Sequence, residues 1–428
     1  MRSTVNIVLG FSLVLSGLSM VGCAAHTRTK KISVVAQSQA NEGQSAEHAL
    51  ELFRRARFGE LSRTQGEGGD SWVQSLRPDW VSEQQDIADW NARVAYRKGN
   101  TQMVLENLEG LNNRSNTNRL LGALLENVDQ DAPIRESNIR HGMMSLDLDE
   151  AALAVGFPVV KMNMMGREFR MLWDTGATEN VLRPEVADEL DLVRTDVQFT
   201  VMRQSAGYIV RFATTATEEM ALSSWTNKNV PWLVTDLSTM DEIFGKGTAR
   251  IDGFVSPQLL LRDGCFTIDR AAKRLLLGFG EASCKGMMVS VTNKAPVFTW
   301  NGEVYTSARV NASPELAVQI ETGSPVTFLR SDASRYLPRG AIAGAASAAD
   351  EDSVNIAHEL SRRVPFHVAG REVSMTTIDL GASRTSNGHD DIGTLGTDLL
   401  LNGNGVVVSF ATMEMGILSA SDAVASIQ

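Results

Sequence analysis

Apolar and polar positions change their spacing along the chain, and the changes divide it. From residue 45 to about residue 130 the spacing is helical: Ala46, Ala49, Leu50, Phe53 and Ala56 share one face, which Ser45 is placed to cap and Gly59 to end. Ser82 and Gln85 make a capping-box pattern ahead of Ile87, Trp90, Val94 and Ala95, with Gly99 as the stop. Thr101 opens a further helix with Val104, Leu105 and Leu108, and Leu120, Leu121, Leu124, Leu125 and Val128 line a last one. Short connections between such helices predict antiparallel hairpins.

After Gly142 the pattern becomes extended. Ala154 to Met164, a turn at Met165-Gly166-Arg167 and Phe169 to Trp173 predict a hairpin that runs into Asp174-Thr175-Gly176-Ala177. The apolar run before Asp174 places its carboxylate at the end of a buried strand, and Gly176 lets the backbone turn sharply there. Leu182 to Leu192 reads as a short helix. Thr195 to Phe212 reads as strands joined by a turn at Gln204 to Gly207.

The pattern then repeats. Leu316 to Leu329 carries Glu321-Thr322-Gly323 in the order of Asp174-Thr175-Gly176, and Ile251 to Leu261 matches Asp391 to Leu401. Residues 174 and 321 are 147 apart and residues 253 and 393 are 140 apart, so the copies differ by a few residues of loop. Each copy ends in a strand-turn-strand, at Phe266 to Leu277 and at Val406 to Leu418.

At these residues the chain resembles the retropepsin-like and pepsin-like aspartic peptidases. Asp174-Thr175-Gly176-Ala177 is similar to their active-site motif, and the segments around Gly253 and Gly393 resemble the one that closes each lobe behind it. The resemblance implies a mainly β fold of two pseudo-symmetric acid-protease lobes, at residues 140–285 and 286–420, preceded by a small α-helical domain at 45–135. It implies that Asp174 and Glu321 are the catalytic pair, that the Thr175 and Thr322 hydroxyls tie the two turns together, and that Gly176 and Gly323 give the turns their close approach. It also implies a flap in the Gln204 to Gly207 turn, with Gly207 and Tyr208 as candidates to line the cleft beneath it, although a strand tyrosine also simply packs. The corresponding stretch of the second copy, Gly340 to Asp352, is small and acidic and specifies a flap poorly.

Ahead of the helices, Arg2 precedes an apolar stretch from Val5 to Leu18, and Met20-Val21-Gly22 leads directly to Cys23. Residues 1–22 read as a secretion signal whose end resembles the lipobox of bacterial lipoproteins, with Cys23 acylated. An ordinary cleaved signal and an uncleaved anchor are the alternatives. Ala24 after the cysteine points to the outer membrane of a two-membrane cell, facing the periplasm. Residues 23–44 are polar and aperiodic and read as a tether.

Composition narrows the partners. A net charge of −11 without a basic cluster argues against nucleic acid, and 43% hydrophobic residues in 428 leave ample core. Cys265 and Cys284 flank the Phe266 to Leu277 strand pair, and an oxidising envelope permits a disulfide between them, with two unrelated buried thiols as the alternative. Trp90 to Asn100 is similar to a tetratricopeptide-type hairpin without a second copy, so a helical cap on the β domain is the simpler reading, with contact to another protein left open.

Other chemistries lack their residues. The six histidines show no metal-ligand spacing, Gly245-Lys246-Gly247-Thr248 lacks phosphate-loop spacing, His389-Asp390-Asp391 reads as an exposed turn, and no Gly-x-Ser-x-Gly follows the signal. No cofactor or metal is expected. The departure from the resembled family is Glu321, whose carboxylate reaches about 1.5 Å further than that of an aspartate. The pattern thus supports three states: an aspartic-type endopeptidase acting on peptides or proteins through water held by Asp174 and Glu321, an inactive relative that binds extended peptides in the same cleft, or, least favoured because the two-lobed reading sets Asp174 against Glu321 within one chain, an enzyme that uses Asp174 with a symmetry partner.

Overall fold

The two copies of the extended pattern close into two rings of strands. In the first, Val159–Met164, Arg167–Trp173, Gly253–Val255, Val181–Leu182, Trp225–Val234 and Ala206–Leu222 pair in that order and return to the start. In the second, Glu303–Val310, Leu316–Ile320, Asp391–Leu395, Phe328–Arg330, Arg371–Gly381 and Asn355–Val368 do the same. The senses match as well. Arg167–Trp173 runs parallel to Gly253–Val255 as Leu316–Ile320 does to Asp391–Leu395, and Val181–Leu182 is parallel to Trp225–Val234 as Phe328–Arg330 is to Arg371–Gly381. The computed structural model describes residues 92, 95–109, 116–203, 206–238, 240–241, 250–300, 302–341, 355–381, 391–401 and 403–418.

Strand alternation explains the filling of the first ring. Met162, Met164, Phe169, Met171 and Trp173 point inward with Trp225 and Trp232, and all are buried. Each such side chain contributes roughly 1.5–3 kcal/mol by leaving water. Pairing all round the ring leaves no open strand edge within it.

The strand-turn-strand that ends each copy belongs to neither ring. Gly142–Asp147, Arg274–Phe279, Cys265–Asp269, Gly405–Ser409, Glu414–Leu418 and Ala295–Trp300 form one antiparallel sheet under both lobes. Its middle pair matches Thr267 with Val407, residues that are themselves 140 apart, so the pseudo-twofold axis passes between them. The helix Glu281–Val289, which spans the expected lobe boundary at 285/286, packs on this sheet, and a disulfide joins its Cys284 to Cys265 on the central strand with Cα atoms 5.5 Å apart.

Two further helices are Thr101–Glu109 and Asn116–Glu126. Asn100 Oδ1 accepts from the Met103 N–H at 3.1 Å, so Asn100 caps the first, and the Thr101 hydroxyl instead donates to the Ala132 carbonyl at 2.6 Å. Gly99, at φ +73°, provides the left-handed turn before it. The helical positions expected between 45 and 91 lie outside the described residues.

One stretch differs from the extended pattern read in the sequence. Residues 150–154 form a short helix and the strand begins only at Val159. Asp149 caps that helix by accepting from the Ala152 N–H at 2.9 Å, and Gly156 at φ +95° turns the chain before Phe157. A five-residue helix is too short to show its period against the apolar run that follows it.

Candidate active site

Asp174 and Glu321 stand just beyond the ends of equivalent strands, Arg167–Trp173 and Leu316–Ile320. Their backbones are held alike: the Asp174 N–H donates to the Val255 carbonyl and the Glu321 N–H to the Leu395 carbonyl, both at 3.0 Å. The parallel strand beside each acid therefore fixes where the turn begins. Both acids are buried.

The threonines that follow exchange hydrogen bonds across the axis. The Thr175 N–H donates to Thr322 Oγ1 and the Thr322 N–H to Thr175 Oγ1, each at 3.0 Å. The Thr175 hydroxyl donates to the Ile320 carbonyl and the Thr322 hydroxyl to the Trp173 carbonyl, each at 2.7 Å. Each hydroxyl thus accepts from one lobe's turn and donates to the strand leading into that turn. The bonds are buried, where a lost partner is costly.

The glycines make room for the opposing acid. A Cβ on Gly323 would fall 2.2 Å from Asp174 Cγ, and one on Gly176 would fall 2.5 Å from Glu321 Cγ and 2.9 Å from its Cδ. The acids of the two lobes therefore cross, each lying against the other lobe's turn. They do so unequally: Glu321 places its Cγ where Asp174 places its carboxyl carbon, and its own carboxyl group continues one bond further.

Asp174 Oδ1 accepts from the Gly176 N–H at 2.8 Å and from the Gly323 N–H at 3.1 Å. Burial nevertheless dominates and pushes the Asp174 carboxyl up to about 6, against the lowering by these backbone N–H groups and that of Ala177.

Behind the turns a second pair of interactions repeats in altered chemistry. Asn180 Oδ1 accepts from the Ser256 N–H at 2.9 Å, and at the equivalent place Thr327 Oγ1 accepts from the Gly396 N–H at 3.1 Å and donates to Asp398 Oδ1 at 2.7 Å. Gln258, the counterpart of Asp398, donates through Nε2 to the carbonyls of Thr175, Ala177 and Gly302. It thereby holds the first acid turn to the second lobe. These residues were not singled out from the sequence. Overlaying the two copies at offsets of 147 and 140 would have pointed to them.

Glu179 was also missed, being an ordinary acid five residues past Asp174. It accepts from the Tyr96 hydroxyl at 2.7 Å. Burial pushes its carboxyl up to about 7, although the Tyr96 hydrogen bond and the charges of Arg135 and Arg97 oppose the shift. Arg135 in turn lies over the Tyr96 ring, 4.5 Å from its centroid, and donates to the Tyr96 carbonyl.

The strands Thr195–Arg203 and Ala206–Leu222 form a hairpin in which Met202 faces Gly207 and Val201 faces Tyr208. Gly207 and Tyr208 therefore follow its tip directly. Their side chains lie outside the described residues, as do Cys23, the stretch from 342 to 352 and His389-Asp390. Among the described residues no group of three His, Cys, Asp or Glu side chains is arranged to hold a metal ion. No described helix is long and apolar enough to cross a membrane.

Comparison with known proteins reaches the first lobe. Residues 160–253 match the family model described as Aspartyl protease. Among solved structures, the chain is similar to a retropepsin-like aspartic protease from Rickettsia conorii at 18% identity and a TM-score of 0.21, covering 35% of this chain and 97% of that one. No curated protein matches the sequence. The stretch that matches the family model includes the Asp174-Thr175-Gly176 turn and most of the first ring's strands, and in that stretch the chain is similar to the aspartyl proteases.

Proposed function

We propose that the protein is an aspartic-type endopeptidase in which Asp174 and Glu321 act on one water. The observation that carries this reading is the crossed arrangement: buried threonine hydroxyls lock the two acid turns together, and each acid lies against the other lobe's glycine. Two carboxyl groups this close cannot both ionise, so at acidic pH the pair holds one proton. The ionised member takes a proton from water as its oxygen attacks the peptide carbonyl carbon, and the protonated member donates to the carbonyl oxygen. The tetrahedral intermediate collapses as a proton reaches the amide nitrogen and the C–N bond breaks.

A second reading is favoured by the unequal reach of the two acids. If Glu321 fills the space in which the water would sit, the cleft binds an extended peptide without cutting it, pairing it as an added strand. Turnover separates the two readings. The test is cleavage of a mixed peptide library from pH 3 to 7 by the wild type and by Asp174→Asn. Cleavage that depends on Asp174 supports the peptidase, binding without cleavage supports the second reading, and cleavage that survives Asp174→Asn removes the aspartic mechanism.

We further propose that the chain works in a bacterial envelope, anchored by lipid on Cys23, with residues 23–44 as the tether. The support is the apolar segment that ends at Met20-Val21-Gly22. The substrates would then be envelope peptides or proteins.

A further inference from the structure

We propose that the helices Thr101–Glu109 and Asn116–Glu126, with residues 95–100 and 127–134 beside them, are a built-in occupant of the first lobe's half of the cleft, which a peptide must displace. The inference rests on the peptide-cleft reading above and adds its regulation.

The argument begins with the alternation of one strand. Met171 and Trp173 point into the ring, so Leu172 points to the opposite face, and Asp174 next along has the parity of Leu172. The face that carries the acid is thus the outer face of the ring, made by Leu172, Val181, Phe254 and Leu233, with Ala177 of the acid turn beside them. An extended peptide approaching Asp174 needs apolar side-chain pockets on that face.

In this structure the chain's own helices take them. Tyr96, Val104, Leu108, Leu121 and Leu124 join those residues in a single buried cluster. Leu172 and Ala177 are each only 1% exposed. Val197 and Phe212, from the strands of the hairpin that ends at Gly207, belong to the same cluster, so the helices pack against hairpin and acid turn alike.

Polar contacts fix the cover at both ends. Tyr96 donates to Glu179 in the acid turn, and Arg119 Nη2 donates to the Gln198 carbonyl on the hairpin at 3.3 Å. Arg97 reaches the second lobe: its Nη2 lies 3.4 Å from where a Cβ on Gly302 would stand, next to Thr178. A layer that only shielded the outside of one ring would have no need to span from the acid turn to the other lobe.

If the helices must leave before a peptide enters, apparent affinity is the intrinsic affinity multiplied by the fraction of molecules with the cover open. Any change that opens the cover raises affinity by the same factor. The probe is a fluorescent peptide with a central statine, whose hydroxyl mimics the tetrahedral intermediate, titrated into full-length wild type, Tyr96→Phe and Leu124→Glu. Amide hydrogen exchange is read in parallel over residues 95–109, 116–126 and the ring strands. We expect affinity to rise about threefold or more in Tyr96→Phe and about tenfold or more in Leu124→Glu, with ring protection retained. In the wild type, which needs no folding control, the probe should speed exchange across both helices. Equal affinities in all three proteins, or probe binding that slows exchange in the wild-type helices, would overturn the inference while leaving the cleft reading intact. No binding by any form, with the helices shown open in Leu124→Glu, would remove the cleft reading itself and this inference with it.

Discussion

Replacing Thr322 with Val tests whether the two acid turns are one unit. The substitution keeps the shape of the side chain and deletes a hydroxyl that accepts from the Thr175 N–H at 3.0 Å and donates to the Trp173 carbonyl at 2.7 Å. Thr175 and Trp173 are fully buried, so water cannot replace either bond. Leaving a buried donor and a buried acceptor without this partner costs about 1–3 kcal/mol each, so Thr322→Val should destabilise by about 2–6 kcal/mol. Thr322→Ser, which keeps both bonds, should cost about 1 kcal/mol for the lost methyl group. Thr175→Val should behave like Thr322→Val, and the double variant should cost less than the two together because they break one network. Urea unfolding followed by tryptophan fluorescence measures the difference, Trp173 lying immediately beside the bonds. The same variants should lose about a hundredfold or more in any Asp174-dependent cleavage, since turns held at half strength misplace the acids. A Thr322→Val protein within about 0.5 kcal/mol of wild type, and no less stable than Thr322→Ser, would refute the claim that the exchange locks the lobes.

Glu321→Asp shortens the longer acid and should raise Asp174-dependent cleavage by up to about a hundredfold if reach is the defect; unchanged turnover with altered peptide affinity would instead favour the binding role. Asp174 is pushed up from its ordinary 3.8 to about 6 and Glu179 from 4.5 to about 7, so the folded state holds these protons more tightly than the unfolded chain. Their contribution to stability is complete below about 4 and lost as pH rises through 6 and 7, so the melting temperature should fall between pH 4.5 and 7.5, and Glu179→Gln should flatten the upper part of that fall. A melting temperature that rises over this range would contradict the burial argument. The Cys265–Cys284 bond closes a loop of separation 19, and its loss in Cys284→Ala should cost roughly 3 kcal/mol in urea unfolding under oxidising conditions. Fatty-acid labelling in a bacterial host should depend on Cys23, and label retained by Cys23→Ser would dispose of the lipid anchor.

The sequence alone determined what depends on neighbours along the chain. An apolar run followed by Asp174-Thr175-Gly176 is a strand entering a tight turn whatever surrounds it, and its repetition at Glu321-Thr322-Gly323 marks two lobes because each copy brings its own strands. Helical spacing at Val104 and Leu108 and at Leu121 and Leu124 likewise announced amphipathic helices. The short helix at 150–154 was hidden because its one capping bond, from Ala152 to Asp149, left no period to read. Tertiary structure decided everything that depends on register between distant strands. Which hydroxyl meets which carbonyl across the axis follows from how Gly253–Val255 and Asp391–Leu395 set the height of each turn, and no local pattern records that height. The sharing of one sheet by the two lobes is of the same kind, since Thr267 and Val407 pair only because both rings are already formed. An apolar stripe on a helix demands burial but does not name the surface that provides it. Only the folded chain shows that the surface includes Leu172 and Ala177, on either side of Asp174 in the sequence, and that Tyr96 finds Glu179 there.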